Sequence, residues 1–169
     1  MSSPRSTGRS ILALVLFLAI AAAVAALGSI ATAQNVEGWY AEADKAPWTP
    51  PGAVFGPVWT VLYALMSLAA WLIWREPDSA ERRRALGLYV AQLVLNALWT
   101  PVFFGLYPTI GVAALWAALV IIVALDVLVL LTALRFRPVR RLAAVLLIPY
   151  GAWLAYATTL NAAAAVLNP

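Results

Sequence analysis

The chain is written as long apolar stretches separated by short polar ones. Five stretches, at about 11–33, 54–74, 86–106, 110–134 and 142–167, are each long enough to cross a bilayer, which takes about 20 apolar residues. Inside hydrocarbon the backbone has no water to bond, so each stretch must close its own hydrogen bonds as a helix. The pattern predicts an all-α integral membrane protein, a five-transmembrane-helix bundle forming one domain over residues 1–169. Of the polar breaks, the first is the longest. It covers 34–53 and carries Glu37, Glu42, Asp44 and Lys45 together with Trp39, Trp48, Pro47, Pro50 and Pro51. The second covers 75–84. The third is a tight turn around Tyr107, Pro108 and Thr109, and the fourth covers 135–141, broken by Pro138.

Charge gives the chain a direction. Ten of the 11 basic residues fall in three groups: Arg5 and Arg9; Arg75, Arg82, Arg83 and Arg84; and Arg135, Arg137, Arg140 and Arg141. Short basic segments mark the cytoplasmic ends of spans. The three groups share one side and Lys45 lies on the other, so a cytoplasmic membrane with the N-terminus in and the C-terminus out is expected. Residues 5–33 also fit a cleavable signal peptide ending in Ala31, Thr32 and Ala33. Their apolar run exceeds the roughly 7–15 residues of a signal core, which favours a retained helix.

Composition narrows the chemistry. The chain is 64% hydrophobic and 11% charged, with a mean hydropathy of +0.90, against roughly 25% charged in soluble domains. A net charge of +4 invites a nucleic-acid reading. The arginines end apolar segments and do not stripe one face, so nucleic acid is excluded and lipid headgroups are the expected contacts. Cysteine and histidine are both absent. That removes disulfides, thiol nucleophiles and the commonest metal ligand and general base. No metal site and no required cofactor are expected.

Eight tryptophans stand out in what remains. Trp71 and Trp74 beside Arg75 fit an interfacial aromatic belt. Trp59, Trp99 and Trp153 each continue into a stripe at helical spacing. Trp59, Tyr63 and Met66 share one face. Tyr89, Gln92, Asn96, Trp99 and Phe103 share another, and Trp153, Ala157 and Asn161 a third. Gln92 and Asn96 are poorly solvated by lipid, so their face should point into the bundle. The amides are then either hydrogen-bond glue between helices or the polar groups of an aromatic-walled ligand pocket. Periodicity does not choose between these. The proline-stiffened first break reads as a lid at the same end, or as an ordinary interfacial segment. Pro101 and Pro149 lie inside spans, where each deletes a helical hydrogen bond, at the carbonyls of Ala97 and Val145. Asp126 is the one charge inside a span, and a structural or interface role is expected for it over catalysis. Ala113 with Ala117, and Ala114 with Ala118, offer a small-residue surface for a homodimer.

Three runs of the chain carry a further signal. Trp39-Tyr40, Lys45, Trp48-Thr49-Pro50-Pro51, Gly56-Pro57-Val58-Trp59 and Leu62-Tyr63 form the first. Leu86-Gly87-Leu88-Tyr89, Gln92, Asn96, Trp99, Pro101 and Phe103-Phe104-Gly105 form the second. The third is Pro149-Tyr150 with Ala152-Trp153-Leu154-Ala155-Tyr156-Ala157 and Asn161. In order and placement they resemble the TspO/MBR family, the tryptophan-rich sensory proteins and mitochondrial translocator proteins, over roughly residues 35–161. The resemblance implies a five-helix bundle, often dimeric, with a cavity beneath the first loop that takes porphyrins such as protoporphyrin IX and haem, and also sterols and benzodiazepine-type drugs. It favours a retained first helix. Some members sit in outer membranes, where basic segments no longer fix orientation.

Carried over position by position, the implied ligand-binding residues are Tyr40, Trp48, Pro50, Trp59, Tyr63, Asn96, Trp99, Trp153 and Ala157. The resemblance gives Trp59 and Trp153 a catalytic role if the protein degrades porphyrin in light. The function it implies is tetrapyrrole binding for sensing, transport or regulation. The alternatives are that photo-oxidative enzyme and a small amphiphile or sterol transporter. Without histidine, stacking on the macrocycle is expected in place of axial haem ligation. Two departures are visible. The family's Lys-Pro-x-Trp is here Lys45-Ala46-Pro47-Trp48, and no basic residue follows Tyr156 to complete a sterol-recognition pattern.

Overall fold

A computed structural model describes residues 6–169; residues 1–5, and with them Arg5 of the first basic group, lie outside the described residues. The described chain is helical throughout: α1 (Thr7–Ala33), α2 (Trp39–Glu42), α3 (Phe55–Arg75), α4 (Ala80–Thr100), α5 (Tyr107–Ile110), α6 (Val112–Val139), α7 (Arg141–Leu146) and α8 (Ile148–Leu167). A 3-10 turn at Gly52–Val54 leads into α3, and a π-helical turn at Pro101–Gly105 extends α4. Five spans long and apolar enough to cross a membrane result: α1, α3 with its lead-in, α4 with its π turn, α6, and α7 together with α8.

The helices close into a ring. α1 lies along α3 and α4, α4 along α6, and α6 along α7 and α8, while α7 returns to α3. The core sits inside the ring, around Met66, Ala69, Ile73, Tyr89, Ile122, Leu125, Phe136, Tyr150 and Leu154. Of the spans α1 is the least buried, enclosing only Ala13 and Ala21, and it reaches this core through the partly buried Phe17 and Val24. Specific bonds sort the ends. At one end the Trp71 indole donates to the Ser10 carbonyl at 2.8 Å, and Arg140 pairs with Glu76 at 2.8 Å. There Ser79 caps α4 by accepting from the Arg82 backbone, and Asp78 pairs with Arg82 and Arg83. At the other end Asn168 bonds both backbone groups of Asp44, at 2.9 and 3.0 Å. The basic segments and the first loop therefore occupy opposite ends of the bundle.

Three proline-bearing segments differ from the expected breaks. The fourth break shrinks to Arg140, because α6 runs through Pro138 to Val139. A proline in a last turn costs one bond, and Arg140 N–H closes on the Phe136 carbonyl at 2.7 Å. The fifth span is not continuous. Pro149 has no N–H for the Val145 carbonyl, and the helix interrupts at Leu147, whose N–H falls back to the Ala144 carbonyl at 3.2 Å. At Pro101 the chain stays helical but widens: Leu106 N–H reaches the Pro101 carbonyl, five residues back, at 3.2 Å. The expected turn at Tyr107–Thr109 is the one-turn helix α5, ended by Gly111 at φ 60°. That backbone conformation strains any residue bearing a Cβ.

The amides of the interior face bridge helices. The Tyr63 phenol donates to Asn96 Oδ1 at 2.5 Å, and Asn96 Nδ2 donates to the Tyr150 oxygen at 2.9 Å. The Tyr150 hydroxyl in turn donates to Gln92 Oε1 at 3.0 Å. Trp99 donates to Asn161 Oδ1 at 3.0 Å, and Asn161 Nδ2 reaches the Leu115 carbonyl at 2.9 Å. These bonds tie α3, α4 and α8 together, and α4 and α8 to α6.

Asn96→Leu leaves the half-buried Tyr63 phenol and the buried Tyr150 phenol each short of a partner, so a loss of about 1–3 kcal/mol is expected, read as a lowered unfolding midpoint in detergent. Tyr63→Phe deletes one bond of the set and should cost less, near the ~0.6 kcal/mol average for bonds between membrane helices. Gly111→Ala is expected to destabilise by about 1–3 kcal/mol through its backbone alone, since no atom lies within 4 Å of the added Cβ. Gly56→Ala meets equally open space within a helix, and should be neutral or stabilising by up to ~1 kcal/mol in the same melt.

Candidate functional site

The interruption at Leu147 creates the site. α7 packs on α3, but beyond the break α8 lies against α6 and meets α3 only sparsely. A cleft of about 570 Å³ opens between them, within the range of small-molecule sites. Pro57, Val58, Val61 and Leu62 of α3 form one wall, and Pro149, Ala152, Trp153 and Tyr156 of α8 the other. The α8 residues recur at helical steps of three and four, so they share one stripe. The Trp153 ring is held edge-on by Phe55 at 5.8 Å and lies against Tyr156 at 5.5 Å. Its indole N–H is buried without a hydrogen-bond partner. The cleft offers apolar walls and the Trp153 ring, while the indole N–H lies buried behind them.

The first loop covers this end and is fastened at separate points. Trp48 Nε1 donates to Thr159 Oγ1 at 3.2 Å, and the Tyr156 hydroxyl donates to the Trp48 carbonyl at 2.6 Å. Tyr156 therefore walls the cleft and holds the loop. Asn168 clamps Asp44, as described above. Further back, Trp39 stacks on Tyr107 at 3.9 Å and donates to the Phe104 carbonyl at 3.0 Å. That carbonyl belongs to the π turn that begins at Pro101. Tyr40 packs edge-on against Phe103 and Phe104. Burial pushes the Tyr40 phenol above its ordinary pKa, so the ring is neutral. Lys45 folds back onto the Ala41 and Ala43 carbonyls and lies 4.9 Å over the Tyr40 ring.

The residues expected to form one pocket fall into three places. Trp59, Tyr63 and Asn96 meet inside the ring, where Trp59 lies 5.5 Å from Tyr63 and 6.2 Å from Tyr150. Ala157 is buried in the same core. Trp153 faces the α3–α8 cleft, with Trp48 hydrogen-bonded to α8 nearby and itself 54% exposed. Tyr40 joins the aromatic cluster at the π turn, which Trp99 reaches through Phe103 at 5.5 Å. Pro50 is half-buried in the loop. Asp126 accepts from Thr158 Oγ1 at 2.7 Å, an α6–α8 bond. Ala114 and Ala118 are buried within the bundle, whereas Ala113 and Ala117 face outward beside Trp116.

The expected binding set leaves out Tyr150 and Tyr156. Tyr150 lies three residues before Trp153 and four before Leu154, so extending that stripe by one step reaches it. Tyr156 follows Pro149, Ala152 and Trp153 along the other stripe of α8.

Comparison with known proteins agrees with this architecture. The TspO/MBR family pattern matches residues 16–167. The tryptophan-rich protein TspO of Archaeoglobus fulgidus is 38% identical over 159 residues, covering 94% of this chain and 99% of its own. The human translocator protein is 41% identical over 125 residues, covering 73% of this chain and 70% of its own. The tryptophan-rich sensory protein of Cereibacter sphaeroides is 38% identical over 153 residues, covering 90% and 91%. With five spans closed into a ring and a family match along nearly its whole length, the chain is an integral, multi-pass membrane protein that belongs to the TspO/MBR family.

Proposed function

We propose that the protein binds a flat, largely apolar macrocycle of the tetrapyrrole class, and that the α3–α8 cleft takes it, with Trp153 as the stacking wall. The observation that carries this is the open apolar volume of about 570 Å³ walled by the Trp153 ring. A macrocycle face gains dispersion and quadrupole contact from the Trp153 ring. Its apolar rims suit Pro57, Val61 and Ala152. The cleft faces the bilayer, so a ligand dissolved in lipid reaches it without crossing water. The family's sensory and translocator names belong to its relatives, and binding is the part of such roles that this cleft supports. The reading places the protein in a bacterial-type cytoplasmic membrane, with its basic end inside and the Trp48 loop outside.

The test is a titration of purified protein with protoporphyrin IX in the dark, followed by tryptophan quenching. Trp153→Ala should weaken binding about three- to tenfold, the worth of an aromatic stack. Trp59→Phe should change it less than about twofold, because Trp59 packs against Tyr63 and Tyr150 inside the ring and keeps most of that aromatic contact as phenylalanine. The reverse ranking would move the site into the core, and equal affinities for wild type and both variants would remove the macrocycle reading.

A further inference from the structure

At the basic end of the bundle, α1 and α3 border a second groove, of about 370 Å³. Its floor is Leu12, Ala13, Leu16, Phe17 and Ile20 of α1, with Trp74 of α3 at its side and Arg9 at its mouth. Arg9, Ala13, Leu16 and Ile20 follow each other at helical steps, so the groove runs along the helix axis. From Arg9 to Ile20 the rise is about 16 Å at 1.5 Å per residue. That is close to half the ~30 Å hydrocarbon core, the depth of one leaflet. The mouth is positive. Arg9 has no carboxylate partner among the described residues. Trp71 fixes α1 to α3 there through the Ser10 carbonyl, and Arg75 lies 4.8 Å over the Trp71 ring. α1 begins with no side-chain cap and no acidic residue in its first turn, which adds partial positive charge at the same end.

A groove that is apolar for one leaflet's depth and cationic at the headgroup level has the shape of one lipid. We propose that it is a binding site for a single anionic phospholipid, with one acyl chain along Leu12, Leu16 and Ile20 and the phosphate held by Arg9 and Arg75. Each arginine near an anionic headgroup is worth about a fivefold change in affinity. The depth argues against a soluble phosphate compound, which would use the mouth and leave the apolar floor empty. The site is independent of the α3–α8 cleft, since Trp153 and Tyr156 lie on α8 and contribute nothing to it.

Native mass spectrometry of the full chain, released from mixed micelles of phosphatidylglycerol and phosphatidylcholine, reads this directly. One phosphatidylglycerol should be retained in preference to phosphatidylcholine. Arg9→Gln and Arg75→Gln should each reduce that retention about fivefold, with Arg9→Lys restoring most of it. Leu16→Trp, at an outward position, should fill the groove and lower retention with both arginines intact. Arg137→Gln on α6, a helix that packs on α4, α7 and α8, should leave it unchanged. Equal losses from Arg9→Gln and Arg137→Gln would show diffuse surface charge and overturn the site. So would equal retention of the two lipids, or full competition by free glycerol phosphate with Leu16→Trp silent.

Discussion

In a bilayer a polar group is costly unless it finds a partner within the protein, and most of this structure follows from that demand. Asn96, Gln92, Tyr63 and Tyr150 satisfy one another across α3, α4 and α8, and Trp99 and Asn161 do so across α4, α6 and α8. Because lipid tails are as apolar as leucine, burial alone gives membrane helices little reason to choose one rotation over another. The hydrogen-bond set supplies that choice. Once Asn96 faces Tyr63 and Tyr150, the outward faces of all three helices are fixed, and Trp153 is turned to the flank where α8 leaves α3.

The same demand explains how the two mid-span prolines are spent. Each removes a donor, and the fold answers each differently. At Pro101 the helix widens by one residue into a π turn, and the Trp39 indole reaches in from the loop to the Phe104 carbonyl. The defect becomes a fastening point for the loop. At Pro149 the helix interrupts, α7 stays against α3 and α8 departs from it. The defect becomes open space. Two residues of identical chemistry thus yield a closed corner and a cleft, according to what lies opposite each.

Much of the architecture was legible in the sequence, because span length, backbone satisfaction and arginine placement are one-dimensional signals. The sharing of one end by Arg9, Glu76 and Arg140 follows from counting spans. The interior face was legible for the same reason, since Gln92 and Asn96 are costly anywhere else. The division of the expected pocket was not. Tyr40, Trp59 and Trp153 share a composition and an end of the molecule, but their separation depends on the path of α8 after Leu147. Helical periodicity allows Trp153 to be aligned either with Ala157 and Asn161 or with Pro149, Ala152 and Tyr156, and only the packing of α8 against its neighbours shows which stripe faces the cleft. Pro138 shows the converse: a proline that reads as a loop is absorbed where the next N–H, at Arg140, can still close on Phe136.

Tyr156 deserves to be read as a mechanical part. Its ring forms a wall among lipid-facing side chains, and its hydroxyl, one ring-length away, holds a main-chain carbonyl of a loop at the aqueous end. A phenol ring is rigid, so its two edges cannot move separately. Whatever tilts the ring from the membrane side must lengthen or break the bond to Trp48, whose own indole is held by the same helix, at Thr159. The wall of the cleft and the main chain of the loop are therefore joined through a single side chain.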